Sequence, residues 1–236
     1  MKVVKIKLYQ SMVNYRKEMS YGYVQTYPLP TPSMVRGMAH SLIDAKEYHP
    51  LRISIQGCSN SVVTNMQKIY KFDRKGRYPV PVAVNSENYN QSVNRGLMFV
   101  DQIVDINLML HISFDDSSLN AKLVEKINNN TVILGRNEDI ARIDECKIVD
   151  LQEEKSRHQK LPLNIYLPKK YCDNNNLSGT VYRLPFKYND VSSFADKRIF
   201  QFVDVKYISS GREIAKQKFP IDDEGNPVVL LGLKYD

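Results

Sequence analysis

The chain has 236 residues, of which 42% are hydrophobic and 25% are charged, a composition that excludes disordered and fibrous proteins. This length allows one large domain or two small ones, and no apolar run approaches the roughly 20 residues needed to span a bilayer. The net charge of +7 favours a polyanionic partner, because neutralising phosphates releases condensed counterions.

The cysteines and the first residues bear on where the protein works. Cys58, Cys146 and Cys172 are isolated and odd in number, so they form neither a CxxC pair nor a disulfide framework. Residues 1–7 alternate charged and branched apolar side chains, which predicts a strand and not the continuous apolar segment of a signal peptide. We therefore expect a cytoplasmic protein that does not enter a membrane.

The first part of the chain alternates strands and helices. Residues 2–9 alternate as a half-buried strand does, a proline-rich loop leads into a helix predicted over 32–45, and residues 51–55 form a second strand. Residues 62–72 either pair with that strand or lead into a protruding hairpin. The polar, basic stretch 74–96 is predicted to be an excursion from the fold.

The next segments complete a known order of elements. Residues 97–114 are predicted to be a strand, Asp115 and Asp116 cap a second helix that ends at asparagines 128–130, and residues 131–134 form a short strand. This is the β-α-β-β-α-β order of ferredoxin-like domains, which are also scaffolds for RNA recognition. We predict an α+β protein with a ferredoxin-like domain over residues 1–146.

The remaining residues, 147–236, have a different pattern. Short alternating runs are separated by Asn-rich, Gly or Pro punctuation, with no convincing helix. They predict a smaller antiparallel β region.

A basic and aromatic composition marks residues 68–95. This stretch contains six basic but only two acidic residues, and four aromatic residues are interleaved with them. Cations that bind phosphates beside aromatic rings that stack on bases are typical of a single-strand binding surface. The basic residues are Lys68, Lys71, Arg74, Lys75, Arg77 and Arg95, and the aromatic residues are Tyr70, Phe72, Tyr78 and Tyr89.

The start of the first helix is a second candidate for phosphate binding. Ser33 and the backbone amides of the first turn can bind an anion, and Arg36 can add a bidentate phosphate contact. The alternative is an ordinary cap and a solvated arginine. Gly37 costs a helix interior about 1 kcal/mol, which favours close approach of a neighbouring backbone or of RNA, and the alternative is a glycine that is merely tolerated.

Catalytic and metal-binding groups are sparse. The histidines His40, His49, His111 and His158 are far apart in sequence, no clustered acids suggest a metal site, and no Walker, Rossmann or zinc signature is present. His40 is the best general base if the chain cleaves RNA, and His111 is expected in the core or on a sheet face. We expect no enzyme activity, cofactor or metal. The 15 tyrosines also fit a protein-interaction scaffold that touches RNA little.

Three segments resemble the CRISPR-associated Cas-five family. They are the proline-rich loop and helix with Arg-Gly-Met at 36–38, the Leu-Gly-Arg-Asn-Glu turn at 134–138, and the closing Val-Leu-Leu-Gly-Leu at 229–233. The family belongs to the RAMP group of ferredoxin-like CRISPR proteins. The resemblance covers residues 1–150 and is closest to the subtype I-B branch.

The resemblance implies a non-catalytic subunit of a type I Cascade complex in antiviral defence. Such subunits cap the 5′ handle of the guide RNA (crRNA), contact the backbone (Cas-seven) and large (Cas-eight) subunits, and reach target DNA only through the complex. A hairpin called the thumb, expected at residues 69–96, folds over the guide. A minority branch, subtype I-C, cleaves its own guide, so an endoribonuclease acting on CRISPR repeat RNA is the alternative.

The turn at Gly135 and Arg136 resembles the glycine turn that faces RNA in this family, and the alternative is a simple β-turn with an exposed arginine. The expected RNA-binding residues are Ser33, Arg36, Lys68, Lys71, Arg74, Lys75, Arg77, Tyr78, Arg95, Gly135 and Arg136.

Overall fold

The computed structural model describes residues 1–18, 20, 22–72, 80–81, 92–153, 158–190, 198–215 and 219–232. In chain order its elements are β1 (Lys2–Val13), β2 (Tyr23–Val24), α1 (Pro32–Leu42), β3 (Leu51–Cys58), β4 (Ser61–Phe72), β5 (Val80–Pro81), β6 (Ser92–Phe114), α2 (Ser117–Asn129), β7 (Val132–Ile133), β8 (Ile140–Asp150), β9 (Gln152–Glu153), β10 (His158–Lys160), β11 (Asn164–Pro168), α3 (Lys169–Asn174), β12 (Thr180–Asp190), β13 (Arg198–Ile208), β14 (Glu213–Ala215) and β15 (Pro220–Ile221). The predicted α+β class is confirmed.

One large sheet runs through the molecule. Its strand order is β12-β13-β11-β3-β6-β1-β8-β7, and β2, β4 and β5 join it by pairing with β6. The pairings are antiparallel except for the short parallel contact between β2 and β6. No described helix is both long and apolar enough to cross a membrane.

Strand β6 serves both the sheet and a hairpin. Residues 103–114 pair with β1 and β3 in the sheet, while residues 93–104 pair with β4. Asp105, in the left-handed conformation at φ 52°, lies where the strand changes partners and accepts hydrogen bonds from Tyr9 and Asn60. Of the two predicted alternatives for residues 62–72, the hairpin is therefore correct.

Alternation along β1 explains how the sheet acquires two different faces. Val4, Ile6 and Leu8 share one hydrophobic core with α1 and α2, so both helices pack on this face. Lys5 and Lys7 point to the other face, which the segment 219–232 covers through Asp222 and Glu224.

The helices differ from prediction in three details. The N-cap of α1 is Thr31, not Ser33, because the Thr31 hydroxyl accepts the Met34 amide and the helical residues begin at Pro32. The helix ends at Leu42, three residues before the predicted end. Asparagines end α2 as predicted, but Asn130 is extended at φ −129° and does not adopt the left-handed conformation that asparagine tolerates at helix ends.

The region after residue 147 also contains a helix that the sequence did not predict. α3 has only six residues, too few for a helical period to be visible, and it forms because Tyr171 and Cys172 are buried in a second, smaller hydrophobic cluster. Strands β11 to β13 extend the main sheet beyond β3. The predicted boundary after residue 146 falls inside β8, and the division into two domains stays a prediction.

Candidate nucleic-acid interface

At the entrance of α1, two backbone amides already donate hydrogen bonds within the chain. Thr31 is buried, and its carbonyl accepts the amides of Met34 and Val35 at 3.0 and 3.2 Å. Pro32 has no amide to offer. Ser33, half-buried, lies inside the first turn, so an anion at this entrance would have to compete with the cap.

Arg36 is held by the fold and is not a solvated surface arginine. Its Nε donates to the carbonyl of Phe186 on β12 at 3.1 Å. The guanidinium lies 5.6 Å from the centroid of the Tyr48 ring and 5.8 Å from that of Tyr188. Arg36 therefore joins α1 to the loop after it and to the β12–β13 hairpin.

His40 uses both ring nitrogens to fasten the loop after α1. Nδ1 lies 3.0 Å from the carbonyl oxygen of Arg36, and the amide of His49 donates to Nε2 at 3.0 Å. Because a carbonyl only accepts and an amide only donates, the ring is neutral with its proton on Nδ1. Burial lowers the pKa of His40, which agrees with that assignment. The fold also brings His49 close, with ring centroids 6.0 Å apart.

An open cavity of about 290 Å³ lies beside these groups. It is bounded by α1, the loop after it, and the end of β12. Tyr48 stacks on His40 with a centroid distance of 5.8 Å and an interplanar angle of 6°. Nζ of Lys187 lies 4.4 Å from the Tyr48 centroid. The lining residues are Arg36, Gly37, His40, Ala45, Lys46, Glu47, Tyr48 and Tyr188.

Sequence reasoning missed Tyr48, Lys187 and Tyr188 as members of a site. Tyr48 is about 140 positions away from Lys187 and Tyr188 in the chain, and no spacing rule connects the loop after α1 with β12. The alternating, aromatic run of β12 predicts a strand, but not which element lies beside it. For Gly37, the structure bears on one of the three predicted explanations, the close approach of a neighbouring backbone. Among the described residues, no heavy atom from outside the adjacent turns of α1 lies within 4 Å of the position that its Cβ would occupy, so no described backbone from another element approaches it.

Gly135 and Arg136 form a tightly bound turn. Gly135 has φ +118°, and a Cβ there would lie 2.7 Å from Oδ2 of Asp139 and 2.9 Å from Cγ2 of Val13, so only glycine fits. Arg136 donates to both carboxylate oxygens of Asp139, at 3.1 and 2.9 Å, and to Gln67 on β4 at 3.2 Å.

The side chain of Arg136 is only 19% exposed, so the simple turn with an exposed arginine is not what the structure has. The turn instead ties the middle of β4 in the β4–β6 hairpin to Asp139. Asp139, which is buried and makes this possible, was not predicted.

The β4–β6 hairpin exposes an apolar face that carries Lys68. Between residues 61 and 70, all of which the structure describes, none is buried. Lys68 pairs with Leu97 and is exposed. The side chains of Lys71, Arg74, Lys75, Arg77, Tyr78 and Arg95 lie outside the described residues. The exposed apolar residues of the hairpin are Val62, Met66, Tyr70, Leu97 and Phe99.

The opposite face of the sheet buries a charged cluster. Nζ of Lys5, fully buried, lies 2.7 Å from Oδ2 of Asp222, 2.9 Å from Asp223 and 3.1 Å from Glu224. His111, also fully buried, contacts Asp222 at 3.3 Å, which confirms its predicted place in the core. Solvent does not reach Lys5, Asp222 or His111, so the arrangement is structural. In the part of the chain that the structure describes, no group of three or more His, Cys, Asp or Glu side chains could hold a metal ion.

Comparison with known proteins gives matches among solved structures alone. No protein-family model matches the sequence, and neither does any curated protein. A chain of a "CRISPR RNA-guided surveillance complex" matches with a TM-score of 0.58 and 10% identity, covering 95% of this chain and 92% of that one. At this identity the likeness shows the fold, which is therefore one found in a CRISPR surveillance complex.

Two further structures resemble the chain more loosely. One is a chain of the type III-B Cmr-beta complex bound to cognate target RNA and AMPPnP, with a TM-score of 0.48, 12% identity and coverage of 90% and 86%. The other is a CRISPR protein from Archaeoglobus fulgidus, with a TM-score of 0.47, 12% identity and coverage of 99% and 100%.

Proposed function

We propose that this chain is a non-catalytic subunit of a type I CRISPR surveillance complex that binds guide RNA, a member of the Cas-five family and of subtype I-B. The observation that carries the proposal is the fold shared with a chain of an RNA-guided surveillance complex over nearly the full length of both. The motifs at residues 36–38 and 134–138 support the narrower family assignment.

The arrangement of elements supports a ferredoxin-like assignment. In this proposal β1, α1, β3, β6, α2 and β8 are the six elements of the domain, and the β4–β6 hairpin is the thumb. Strands β3, β6, β1 and β8 are neighbours in that order and antiparallel, and α1 and α2 pack on one face of them. A β-α-β-β-α-β chain whose two halves interleave has this order.

The proposed ligand is the 5′ handle of the guide RNA, gripped by the basic hairpin. The proposed protein partners are the backbone and large subunits of the complex, with target DNA reached through them, in the cytoplasm and in antiviral defence. The net charge of +7 and the composition of residues 68–95 support an RNA ligand. Arg136 supports it indirectly, because its bonds to Asp139 and to Gln67, in the middle of β4, hold that hairpin in place.

The geometry around His40 supports binding without cleavage. A general base needs a ring nitrogen within hydrogen-bond reach of the 2′-hydroxyl that it deprotonates. In His40 the Nδ1–H donates to the Arg36 carbonyl and Nε2 accepts the His49 amide, so a catalytic role would require breaking the loop's attachment. His111 is fully buried against Asp222. We therefore propose that the chain holds RNA that another protein has cut.

The proposal is tested by the salt dependence of RNA binding. Purified protein is titrated with labelled repeat-derived RNA over a range of salt concentrations, without metal. Alanine at Lys71, Arg74, Lys75 and Arg77 should weaken binding and flatten the slope of log K against log salt by up to about 0.7 per lost phosphate contact. The RNA should remain whole on a denaturing gel.

A matched control removes four exposed basic residues elsewhere. Alanine at Lys2, Lys169, Lys170 and Arg212 changes the net charge equally but should leave most of the slope intact. Binding that is insensitive to salt in the wild-type protein would overturn the proposal. A single defined cut that His40→Ala abolishes would replace it with the endoribonuclease alternative.

A further inference from the structure

Strand β13 has one edge that is only partly occupied. On one side it pairs with β12 from residue 198 to residue 207. On the other side it pairs with β11 only at residues 205–208, because β11 ends at Pro168 and the chain turns into α3. Among the described residues, no other strand pairs with residues 198–204 on this side. Alternate residues of that stretch therefore direct amide and carbonyl groups towards an open edge.

An open groove of about 630 Å³ lies beside this edge. It is lined by residues 202–204 of β13, by residues 230–232, and by α3 with Pro168 before it. Leu231 exchanges backbone hydrogen bonds with Ile53 on β3, so residues 230–232 are themselves held in place. Because the groove begins where β11 ends, an added strand would continue the line of β11 along β13.

The charges around the groove leave a surplus of cations. Each carboxylate that lines it has a basic neighbour, and the two pairs are Asp173 with Lys206, whose charged atoms lie 2.7 Å apart, and Asp204 with Arg183, opposite it on β12. Lys169 and Lys170 also line the groove, are exposed, and form no ion pair with any described residue. An anionic ligand is therefore favoured over a cationic one.

The rest of the lining distinguishes a peptide from a nucleic acid. Val203 and Leu230 offer aliphatic surface, which suits the side chains of a peptide. The ring of Phe202 is already in use, because the Arg183 guanidinium lies 4.9 Å from its centroid and Phe200 packs against it. The bases of a single-stranded nucleic acid need free ring faces on which to stack. An open strand edge instead matches the amides and carbonyls of a peptide.

We propose that this groove binds an extended, acidic segment of a partner protein, which adds a strand to the open edge of β13. Backbone hydrogen bonds to β13 supply affinity, apolar side chains of the segment contact Val203 and Leu230, and its carboxylates bind Lys169 and Lys170. The inference goes beyond the proposed function, because it requires no RNA and none of the expected RNA-binding residues lines the groove.

Synthetic peptides test the proposal on the full chain. The probe is the capped hexapeptide Val-Glu-Val-Glu-Val-Glu, compared with Val-Lys-Val-Lys-Val-Lys and with the acidic peptide N-methylated at every residue. The acidic peptide should bind and should slow the hydrogen exchange of backbone amides within residues 198–204. The basic peptide should bind more weakly. The methylated peptide should give no protection, because it has no amide protons to donate to the strand edge.

Three variants locate the contact. Lys169→Ala combined with Lys170→Ala should weaken binding of the acidic peptide about 2- to 30-fold, the range expected for two exposed ion pairs. Asp204→Asn removes a carboxylate from the groove and should strengthen binding by up to about 5-fold. As the matched control, Lys2→Ala combined with Arg212→Ala removes the same charge from exposed positions outside the groove and should leave the affinity unchanged.

Several results would overturn the peptide site. The proposal is wrong if the acidic peptide at millimolar concentration does not protect residues 198–204, or if the acidic and basic peptides bind equally. It is also wrong if the methylated peptide protects these amides as well as its parent does. If labelled RNA protects them and the acidic peptide does not, the groove is a nucleic-acid site. The salt dependence of RNA binding tests the proposed function separately, so that either proposal can fail alone.

Discussion

The burial of Lys5 could not be predicted from the residues next to it in the sequence. The alternation at residues 1–7 predicts that Lys5 lies opposite the apolar face of β1, and it does. Alternation also suggests solvent on that side, yet Lys5 is fully buried, because the turn 222–226 covers it with three carboxylates. Lys5 and Asp223 are 218 positions apart, and such a pairing leaves no local signal in the sequence.

The first prediction at this scale concerns the buried pair of Lys5 and Asp222. Lys5→Met should lower the free energy of unfolding by about 3–5 kcal/mol, because it leaves Asp222 charged and buried without its cation. Urea denaturation measures this loss. Lys5→Met combined with Asp222→Leu should cost less than the sum of the two single changes, because no buried charge is then left alone. As a control, Lys126→Met removes the exposed pair with Asp44 and should cost about 0–1 kcal/mol.

The same cluster also predicts how the stability of the protein depends on pH. Burial alone would raise the pKa of Asp222, but hydrogen bonds from His111, Lys5 and Asn226 hold it below its usual value. The stability that the charged Asp222 contributes is therefore fully present above about pH 3.9, the pKa of an aspartate in the unfolded chain. This contribution is lost as the pH falls towards the lower pKa that Asp222 has in the folded protein. Below pH 4 the wild-type stability should decrease more steeply than that of Asp222→Asn. Equal slopes would mean that Asp222 contributes nothing as a charged group.

At the scale of one element, the sequence predicts α1 well and its cap poorly. The apolar spacing identifies the helix, and Val35, Met38 and Ala39 are its buried face. Thr31 and Ser33 are both residues of good capping type, and residue type alone does not decide between them. Proline at the first helical position decides the matter in favour of Thr31. α3 was missed because one and a half turns cannot show a period.

The prediction for this element is that Thr31 holds the start of α1. Thr31→Ala should lower the melting temperature and reduce the free energy of unfolding by about 1 kcal/mol, because the Met34 amide loses its side-chain acceptor. Thr31→Ser keeps the hydroxyl and should retain most of the stability. Ser33→Ala should change the stability by much less. A larger loss for Ser33→Ala than for Thr31→Ala would mean that the cap is Ser33 after all.

At the scale of the molecule, local patterns specify the order of elements but not what covers the sheet. The succession of strands and helices up to residue 134 follows from periodicity, and the structure has it. For residues 62–72 the sequence left two alternatives open, and the structure decides between them by pairing β4 with β6. The cavity beside Gly37 does not, since it requires the loop after α1 and the end of β12 to meet. Neither does the cover that residues 219–232 provide for β3 and β1.

That cover rests on backbone and side-chain bonds across the whole length of the chain. Ile53 on β3 and Leu231 exchange two backbone hydrogen bonds, at 2.9 and 2.8 Å. Gln56 donates from Nε2 to the carbonyl of Pro227 at 2.7 Å, and Ser54 accepts the amide of Val229 at 3.3 Å. The three β3 residues in these contacts, Ile53, Ser54 and Gln56, are all buried. The segment therefore completes the sheet's second face, and its removal would expose that face to water.

We predict that a chain ending at residue 218 loses its cooperative fold. Such a chain leaves Lys5 and His111 without Asp222 and exposes apolar surface around Ile53, so the loss should exceed that of Lys5→Met. Circular dichroism during heating and the dispersion of amide proton signals measure the loss. Leu231→Ala is the matched control, because it keeps the backbone bonds and should cost about 2–5 kcal/mol with unfolding still cooperative. If the shortened chain melts cooperatively at the wild-type temperature, the cover contributes nothing to the fold, and the remaining strands stabilise the sheet by themselves.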